Sequence, residues 1–275
     1  MPLEKMFHKL FASEGSSNEP EKLECYFIDF LIEDGKLEKL VNNYAAAHRR
    51  SVNLHERFRK DKAVCFKPFN EKVQKGLNEG KFVRASTLPH LNKLQKHYLP
   101  VNIAYSDGKS SQRPITDGSH PSGESNLSLN ACMPHGYTSD NLLSSVLYSR
   151  SMAFVSFLDL KSAYWNVRLK DKSASLCRLI LRLKPGTNTA CFGEEGKGEF
   201  VEMVCLVLSF GICQASSILR TVIIRAANEF LEPDSEAKTA LTCYTYVDDV
   251  VCGGNYEASR TLVKKKIGTL FNTIG

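Results

Sequence analysis

Three aspartates follow segments that the sequence predicts to be β-strands. Asp159 comes directly after the apolar run 154–158, and the pair Asp248 and Asp249 lies between two β-prone runs within residues 241–254. A carboxylate at the end of a buried strand lies at the edge of the sheet, where open sheets bind their ligands. Two adjacent carboxylates raise each other's pKa and are costly unless cations neutralise them. The pair alone also fits an ordinary hairpin turn, in which Asp is a favoured residue.

Together, the three carboxylates indicate a site for divalent metal ions. Their oxygen atoms are the ligands that Mg²⁺ and Mn²⁺ prefer. Two such ions about 4 Å apart can lower the pKa of a 3′-hydroxyl and stabilise a departing pyrophosphate. A helix-compatible stretch follows Asp159, and its backbone N–H groups near Ser162 and Ala163 can face a phosphate. The residues alone therefore predict a site for divalent metal ions beside backbone groups that can face a phosphate.

The charge of the chain is distributed unevenly. The chain has 275 residues and a formal net charge of +6, and residues 51–110 alone carry 12 basic and 5 acidic side chains. Such a basic block suits a polyanionic partner, because each Lys or Arg can neutralise a phosphate. A solvent-exposed helix face with surplus lysines is the alternative interpretation. With 43% hydrophobic and 24% charged residues, the composition excludes a wholly disordered chain.

The cysteine pattern and the distribution of apolar residues indicate the cellular compartment of the protein. The nine cysteines form no C-x-x-C motif, so the sequence predicts thiols in a reducing compartment rather than a disulfide framework or a zinc ribbon. The N-terminus has no continuous apolar region of the kind that signal peptides have. The longest uncharged stretch, 203–219, contains polar residues and is slightly shorter than the ~20 apolar residues of a membrane span. We predict that this stretch is buried core and that the protein is cytoplasmic, without a membrane partner.

Hydrophobic periodicity predicts the elements that must position the aspartates. Residues 105–125 are rich in Ser, Gly and Pro, which indicates a loop within a lobe. The predicted helices cover residues 22–48 (interrupted near Gly35), 69–83, 140–150 (with Asp140 near its N-cap) and 260–275, and a short strand covers 113–116.

The chain resembles a known family through motifs that occur in the order in which reverse transcriptases have them. Tyr246-Val247-Asp248-Asp249 is their tetrapeptide, and Phe157-Leu-Asp159-Leu-Lys-Ser-Ala-Tyr164 resembles their first catalytic motif. Between these two, Leu208-Ser-Phe210-Gly211-Ile-Cys-Gln214-Ala-Ser216 resembles their Phe-Gly segment. Four further motifs resemble those of the polymerase of BEL/Pao-type LTR retrotransposons, and the resemblance covers residues 50–275. Three of them precede the first catalytic motif and the fourth follows the Phe-Gly segment: His97-Tyr-Leu-Pro100, Gln112-Arg113-Pro-Ile-Thr-Asp117-Gly-Ser119, Ser128-Leu-Asn130 and Ile218-Leu-Arg220-Thr221.

This resemblance implies an α+β, right-hand polymerase fold with an antiparallel palm sheet flanked by helices. Residues 1–50 would form an N-terminal helical extension, 51–150 a fingers-like region and 151–275 the palm. Fingers and palm together would make one reverse transcriptase domain, about residues 60–275, and the thumb would be absent. We therefore expect a fragment of a Pol polyprotein, a degenerate copy or a partial gene product, whose missing partners are a protease, an RNase H and an integrase.

The resemblance also implies the role of each motif residue. Asp159, Asp248 and Asp249, with the backbone carbonyl of Leu160, would hold two Mg²⁺ or Mn²⁺ ions. Tyr164 would exclude a 2′-hydroxyl from the sugar site. The complete nucleotide-binding set would be Lys109, Arg113, Ser162, Ala163, Tyr164, Phe210 and Gly211, and the other motif positions are Tyr246, Val247 and Gln214.

The expected activity is template-directed DNA synthesis from an RNA or DNA template, with a primer duplex and dNTPs as partners, in the cytoplasm or in a virus-like particle. Two residues depart from the family pattern: Ser216 replaces a common Pro, and Lys161 replaces a common acidic residue. One alternative is a truncated or domesticated palm that binds nucleic acid without catalysis. A viral RNA-dependent RNA polymerase is the other, but such enzymes usually have Asp and Gly where this chain has Tyr164 and Val247.

Overall fold

The chain adopts an α+β fold, in which helices combine with antiparallel sheets. The computed structural model describes residues 7–9, 26–60, 66–105, 112–121, 126–134 and 142–274. The strands are β1 (Phe7–Lys9), β2 (Tyr26–Ile28), β3 (Phe82–Arg84), β4 (Val101–Tyr105), β5 (Gln112–Thr116), β6 (Phe154–Asp159), β7 (Arg168–Leu169), β8 (Arg178–Leu183), β9 (Glu199–Cys205), β10 (Thr245–Tyr246) and β11 (Asp249–Gly254). The α-helices are α1 (Tyr44–Lys60), α2 (Lys67–Asn78), α3 (Leu142–Ser151), α4 (Asp171–Ser175), α5 (Ala215–Phe230), α6 (Glu236–Cys243) and α7 (Glu257–Ile274).

The chain forms two compact units, and each is built from separate stretches of sequence. The first unit contains Met1–Phe27, Gly136–Val167 and Ser216–Gly275, and the second contains Ile28–His135 and Arg168–Ala215. The predicted fingers-like region, 51–150, and the predicted palm, 151–275, each contribute residues to both units.

The first unit is organised around a three-stranded antiparallel sheet with the strand order β10-β11-β6. Helix α7 contacts both β11 and β6. Its Val263, Ile267 and Leu270 recur at helical spacing and are all buried, while the residues between them are mostly exposed. Val250 and Cys252 on β11 are also fully buried. The apolar face of α7 thus covers the strands that carry the aspartates.

The second unit contains the hairpin β8–β9, to which β3 adds a third antiparallel strand, and the separate hairpin β4–β5. Aromatic rings fill the space beside helices α1 and α2. The ring centroids of Phe58 and Phe69 lie 5.2 Å apart, and those of Phe69 and Phe192 lie 5.3 Å apart. Such tilted and edge-to-face pairs bury large apolar areas.

An ion pair with a fully buried arginine crosses the β8–β9 hairpin of the second unit. Arg178 on β8 has no exposed surface, and its guanidinium binds the carboxylate of Glu202 on β9. The same guanidinium donates to the carbonyl of Leu91, 3.0 Å away. A buried charge needs such partners, because removing only one of them leaves the other uncompensated.

Most elements predicted from the sequence are confirmed. The strand predicted over 113–116 is β5, and the helix predicted over 260–275 is α7. The helix predicted over 69–83 is α2, but it ends at Asn78, and residues 82–83 belong to strand β3. The helix predicted over 140–150 is α3, although Asp140 lies outside the described residues. No helix in the described ranges has the length and apolar character that crossing a membrane requires.

The helix predicted over 22–48 is wrong over most of its length. Residues 26–28 form β2, a 3₁₀ turn covers Leu37–Lys39, and α-helix begins only at Tyr44. The carbonyl of Ile28 accepts a hydrogen bond from the Lys170 backbone at 2.9 Å, and the Ile28 side chain is fully buried. Pairing and burial therefore override the helical periodicity here. Within the described part of residues 1–50, the predicted helical extension is limited to the start of α1.

His97 gives the second unit a defined pH dependence. The side chain is fully buried, and this burial lowers the pKa of His97 to about 4, with the backbone of Val41 opposing the shift and His120 adding to it. Because the pKa falls on folding, the stability that neutral His97 provides is present above about pH 6.5 and is lost between about pH 6.5 and pH 4. We predict a loss of about 2 kcal/mol from this group between pH 7 and pH 5.

Urea unfolding at pH 7 and pH 5 measures this loss. His97→Gln should remove it, because Gln does not titrate, whereas His90→Gln, at an exposed side chain, should retain it. An equal decline in all three proteins would show that His97 is not responsible.

Candidate active site

The register of the first-unit sheet brings two of the three predicted aspartates together. Strands β6 and β11 are antiparallel, and Asp249 is the direct partner of Asp159. Side chains directly opposite each other in an antiparallel pair project from the same face, with Cβ atoms about 5 Å apart. Both aspartates are exposed. Their carboxylates therefore lie within reach of a shared cation at one end of the sheet.

Asp248 occupies the turn that precedes β11. Tyr246 on β10 pairs with Asp249, so Val247 and Asp248 form a two-residue connection. Val247 has a φ of +57°. A β-branched residue in the left-handed region is strained by about 1–3 kcal/mol. The turn consequently holds Asp248 beside Asp249 at the expense of backbone strain.

The backbone also ties the turn to the end of β6. The N–H of Leu160 donates to the carbonyl of Asp248 at 3.0 Å. The Leu160 carbonyl, a predicted metal ligand, accepts the N–H of Ala163 at 3.1 Å. A carbonyl oxygen has two lone pairs, so this bond leaves one for a cation. The Ala163 amide, however, is engaged within the loop rather than turned toward a ligand.

The donor set fits a divalent metal in its chemistry and in its backbone placement. The three carboxylates and one carbonyl are oxygen ligands of the kind that Mg²⁺ and Mn²⁺ prefer. In the described part of the chain, no three His, Cys, Asp or Glu side chains converge closely enough to hold a metal ion. Rotation of the aspartate side chains is therefore required for three-fold coordination.

The loop after β6 turns sharply before it reaches Tyr164. Ser162 adopts a left-handed conformation, with φ +56° and ψ +32°, and a 3₁₀ turn over Ala163–Asn166 follows. Tyr164 is 6% exposed, and its hydroxyl lies 3.1 Å from the hydroxyl oxygen of Ser216. Ser216, one of the two departures from the family pattern, is therefore a hydrogen-bond partner of the predicted steric gate.

Phe210 and Gly211 of the Phe-Gly segment belong to the second unit, where a tight backbone contact fixes them. Gly211 has a φ of +92°, and a Cβ on it would overlap the carbonyl oxygen of Thr116. The Thr116 hydroxyl donates to the carbonyl of Phe210. The Phe210 ring itself is 42% exposed. Only glycine allows the loop to lie this close to the end of β5 while presenting the ring to solvent.

The remaining predicted residues of the second unit have different environments. Gln214 is 2% exposed, and its amide group exchanges two hydrogen bonds with the backbone of Leu31, at 3.2 and 3.0 Å. Its contacts are therefore those of a structural residue. Arg113 lies on β5 opposite Ala104, and Lys109 lies outside the described residues.

The chain is similar to a viral reverse transcriptase. The solved structure is a foamy viral protease–reverse transcriptase in complex with double-stranded DNA, and it is 14% identical to this chain. The match covers 73% of this chain and 28% of that chain, with a TM-score of 0.46. The chain thus spans less than a third of that protein's length. No family model matches the chain, and no curated protein matches it.

Arg220 supports the hairpin β10–β11 by binding the end of α6, the helix that precedes β10. The sequence analysis assigned no function to this residue. The residue is 5% exposed on α5, and its guanidinium donates to the carbonyls of Leu241 and Thr242 at 2.6 and 2.5 Å. These carbonyls lie in the last turn of α6, where intrahelical donors are missing. The helix ends immediately before β10, so Arg220 fixes the start of the hairpin. The motif Ile218-Leu-Arg220-Thr221 was the available signal.

We predict that Arg220→Met lowers the free energy of unfolding by about 2–4 kcal/mol, because one buried and one partly buried carbonyl lose a charged donor. Arg150→Met, at an exposed position in α3, is the matched control and should have little effect. Chemical unfolding of both variants decides the question. Equal effects would show that the α6 cap does not stabilise the unit.

Gly211 is constrained both by its positive φ and by the nearby Thr116 carbonyl, whereas Gly186 has only the positive φ. Comparing the two glycines therefore separates the effects of the two constraints. Gly186 has a φ of +69°, but a methyl group added to it would meet no atom within 4 Å, whereas Gly211 has both a φ of +92° and the Thr116 carbonyl. Gly186→Ala should cost about 1 kcal/mol from backbone strain alone. Gly211→Ala should cost at least about 3 kcal/mol, because a clash with backbone is added. Equal costs in chemical unfolding would mean that the loop can move away from β5.

Proposed function

We propose that this chain is the reverse transcriptase domain of a BEL/Pao-like LTR retrotransposon, with fingers and palm in a right-hand polymerase arrangement. Its reaction is template-directed DNA synthesis on RNA or DNA, which makes it a nucleotidyltransferase. The observation that carries the proposal is the register that sets Asp249 opposite Asp159, with Asp248 in the adjoining turn. This register brings three carboxylates of two distant motifs to one end of one sheet.

In the proposed reaction, the primer 3′-hydroxyl attacks the α-phosphorus of a bound dNTP, and pyrophosphate leaves. Asp159, Asp248 and Asp249 would hold two Mg²⁺ or Mn²⁺ ions, with the Leu160 carbonyl as a further ligand. Such ions, when bound, stabilise negative charge on the attacking and leaving oxygens. The contribution of the protein is the placement of the carboxylates, since positioning and electrostatics supply most of the rate in phosphoryl chemistry.

Other residues would bind and select the nucleotide. Arg113 suits the triphosphate, because its fork of donors matches phosphate oxygens. Tyr164 would lie under the sugar, and its hydrogen bond to Ser216 supports a fixed orientation of the ring. Lys109 and the amide of Ser162 complete the proposed phosphate contacts, and Phe210 and Gly211 the floor beside the base pair, whereas the Ala163 amide is already bonded to the Leu160 carbonyl.

A template–primer duplex is the proposed macromolecular partner. The last turn of α1 carries Arg57, Arg59 and Lys60, and all three are exposed. Arg59 forms an ion pair with Glu56 at 3.4 Å. The three basic side chains still outnumber this acidic one, so the charge at this helix end is positive. A basic surface of this kind binds phosphate backbones without regard to sequence. We further propose that the domain acts in the cytoplasm or a virus-like particle, beside protease, RNase H and integrase domains.

Primer extension on poly(rA)/oligo(dT) with dTTP and either Mg²⁺ or Mn²⁺ tests the proposal. The wild-type chain should extend the primer. Asp248→Asn/Asp249→Asn should lower the rate by about 100-fold or more, because the charge that holds the cations is removed. Asp234→Asn, at an exposed position outside the sheet, is the control for the loss of an acidic charge and should extend normally.

A binding assay with the same duplex distinguishes the outcomes. Extension that depends on Asp248 and Asp249 but not on Asp234 supports the polymerase. Binding without extension by the folded wild type would contradict it and favour a palm that binds nucleic acid without catalysis. Equal extension by all variants would place the chemistry elsewhere.

A further inference from the structure

The backbone of the Phe210–Gly211 loop is held by a segment that the sequence places about 80 residues earlier. The side-chain amide of Asn130 donates to the carbonyl of Gly211 at 2.8 Å. The same amide nitrogen lies 2.9 Å from the hydroxyl oxygen of Ser119, to which it also donates. The side-chain oxygen Oδ1 of Asn130 accepts a hydrogen bond from the backbone N–H of Cys213 at 2.9 Å. One side chain thus binds two backbone groups of the loop and a third group just after β5.

Steric constraints act together with these hydrogen bonds. A Cβ on Gly118 would lie 2.6 Å from the Gly211 carbonyl oxygen and 2.8 Å from Oδ1 of Asn130. The backbone N–H of Asn130 donates to the carbonyl of Gly118 at 2.9 Å. Segment 116–119, Asn130 and the loop therefore lie in mutual contact, and there is no room for the loop to shift toward β5.

The aromatic ring on this braced loop faces solvent. Phe210 is 42% exposed, although the nearby residues Leu208 and Ile212 are buried. Its carbonyl is held by the Thr116 hydroxyl. An exposed ring on a fixed backbone loses little conformational freedom when a planar ligand stacks on it. Nucleobases are such ligands, and stacking on aromatic side chains is tolerant of sequence.

We infer that Asn130 is a positioning residue that fixes the Phe210 ring as a stacking surface for a nucleobase of the bound duplex. This inference rests on the proposed function, and it assigns a task to the upstream motif Ser128-Leu-Asn130. Asn130 acts only through the loop: it holds the Gly211 carbonyl and the Cys213 N–H, which follow Phe210, and so limits movement of the backbone from which the ring projects.

A double-mutant cycle on duplex binding tests the inference, with fluorescence anisotropy of a labelled poly(rA)/oligo(dT) duplex as the readout. Phe210→Ala should weaken binding about tenfold by loss of stacking. Asn130→Asp retains the acceptor for Cys213 but replaces the donor to Gly211 with an oxygen. It should weaken binding about fivefold or more in the wild-type background and less than about twofold when Phe210 is already Ala.

Two controls separate positioning from charge and from folding. Asn78→Asp makes the same charge change on the exposed end of α2 and should leave binding within about twofold of wild type. Asn130→Ala removes all three side-chain hydrogen bonds without adding charge, and should show the same dependence on Phe210. Thermal unfolding confirms that each variant is folded, so that a loss of binding is not a loss of structure.

The outcomes also separate this inference from the proposed function. If the wild type extends the primer but the effects of Asn130 and Phe210 simply add, the polymerase stands and the positioning role of Asn130 is wrong. If the wild type binds the duplex without extending it, the polymerase is wrong, and the cycle still decides the role of Asn130. If the folded wild type does not bind the duplex, both are wrong.

Discussion

The pairing register of β6 and β11 is the constraint on which the candidate site depends. A slip of one residue would set Asp249 opposite Leu158 and would turn its carboxylate to the other face of the sheet. The apolar stripe of α7 and the burial of Val250, Val251 and Cys252 oppose such a slip, because it would exchange the faces of β11 on which these side chains pack. This packing therefore fixes which residue of β11 lies opposite Asp159. Two acidic residues are placed opposite each other by apolar contacts that neither of them makes.

The second unit uses a different principle, in which backbone contacts replace side-chain packing. Its Phe-Gly loop is held by hydrogen bonds from Thr116 and Asn130 and by two glycines that leave no space between chain segments. Segment 116–119, which contacts this loop, is held in addition by the ion pair of Asp117 with Arg50, at 3.1 Å.

Sequence patterns were sufficient for the strand that ends at Asp159, the strand that begins at Asp249, and helices such as α2 and α7, because their local propensity and their burial agree. They failed for residues 22–48, where pairing with a distant backbone and complete burial of Ile28 produce a strand. The contacts of Asn130, Ser216 and Arg220 could not be derived from periodicity. Each depends on a partner more than 20 residues away, so only the fold reveals it.

The division of the chain between two units has a consequence for its synthesis. In the described sheet of the first unit, β6 lies at an edge and pairs only with β11, which follows after the whole of β8, β9 and α5 has been made. A nascent chain therefore carries β6 without its partner strand until the residues of β11 have left the ribosome, and the Phe154 and Phe157 side chains, which stay exposed in the folded chain, add apolar surface to it. Such a long sequence separation between paired strands favours slow folding and makes the half-synthesised chain a natural client for a chaperone.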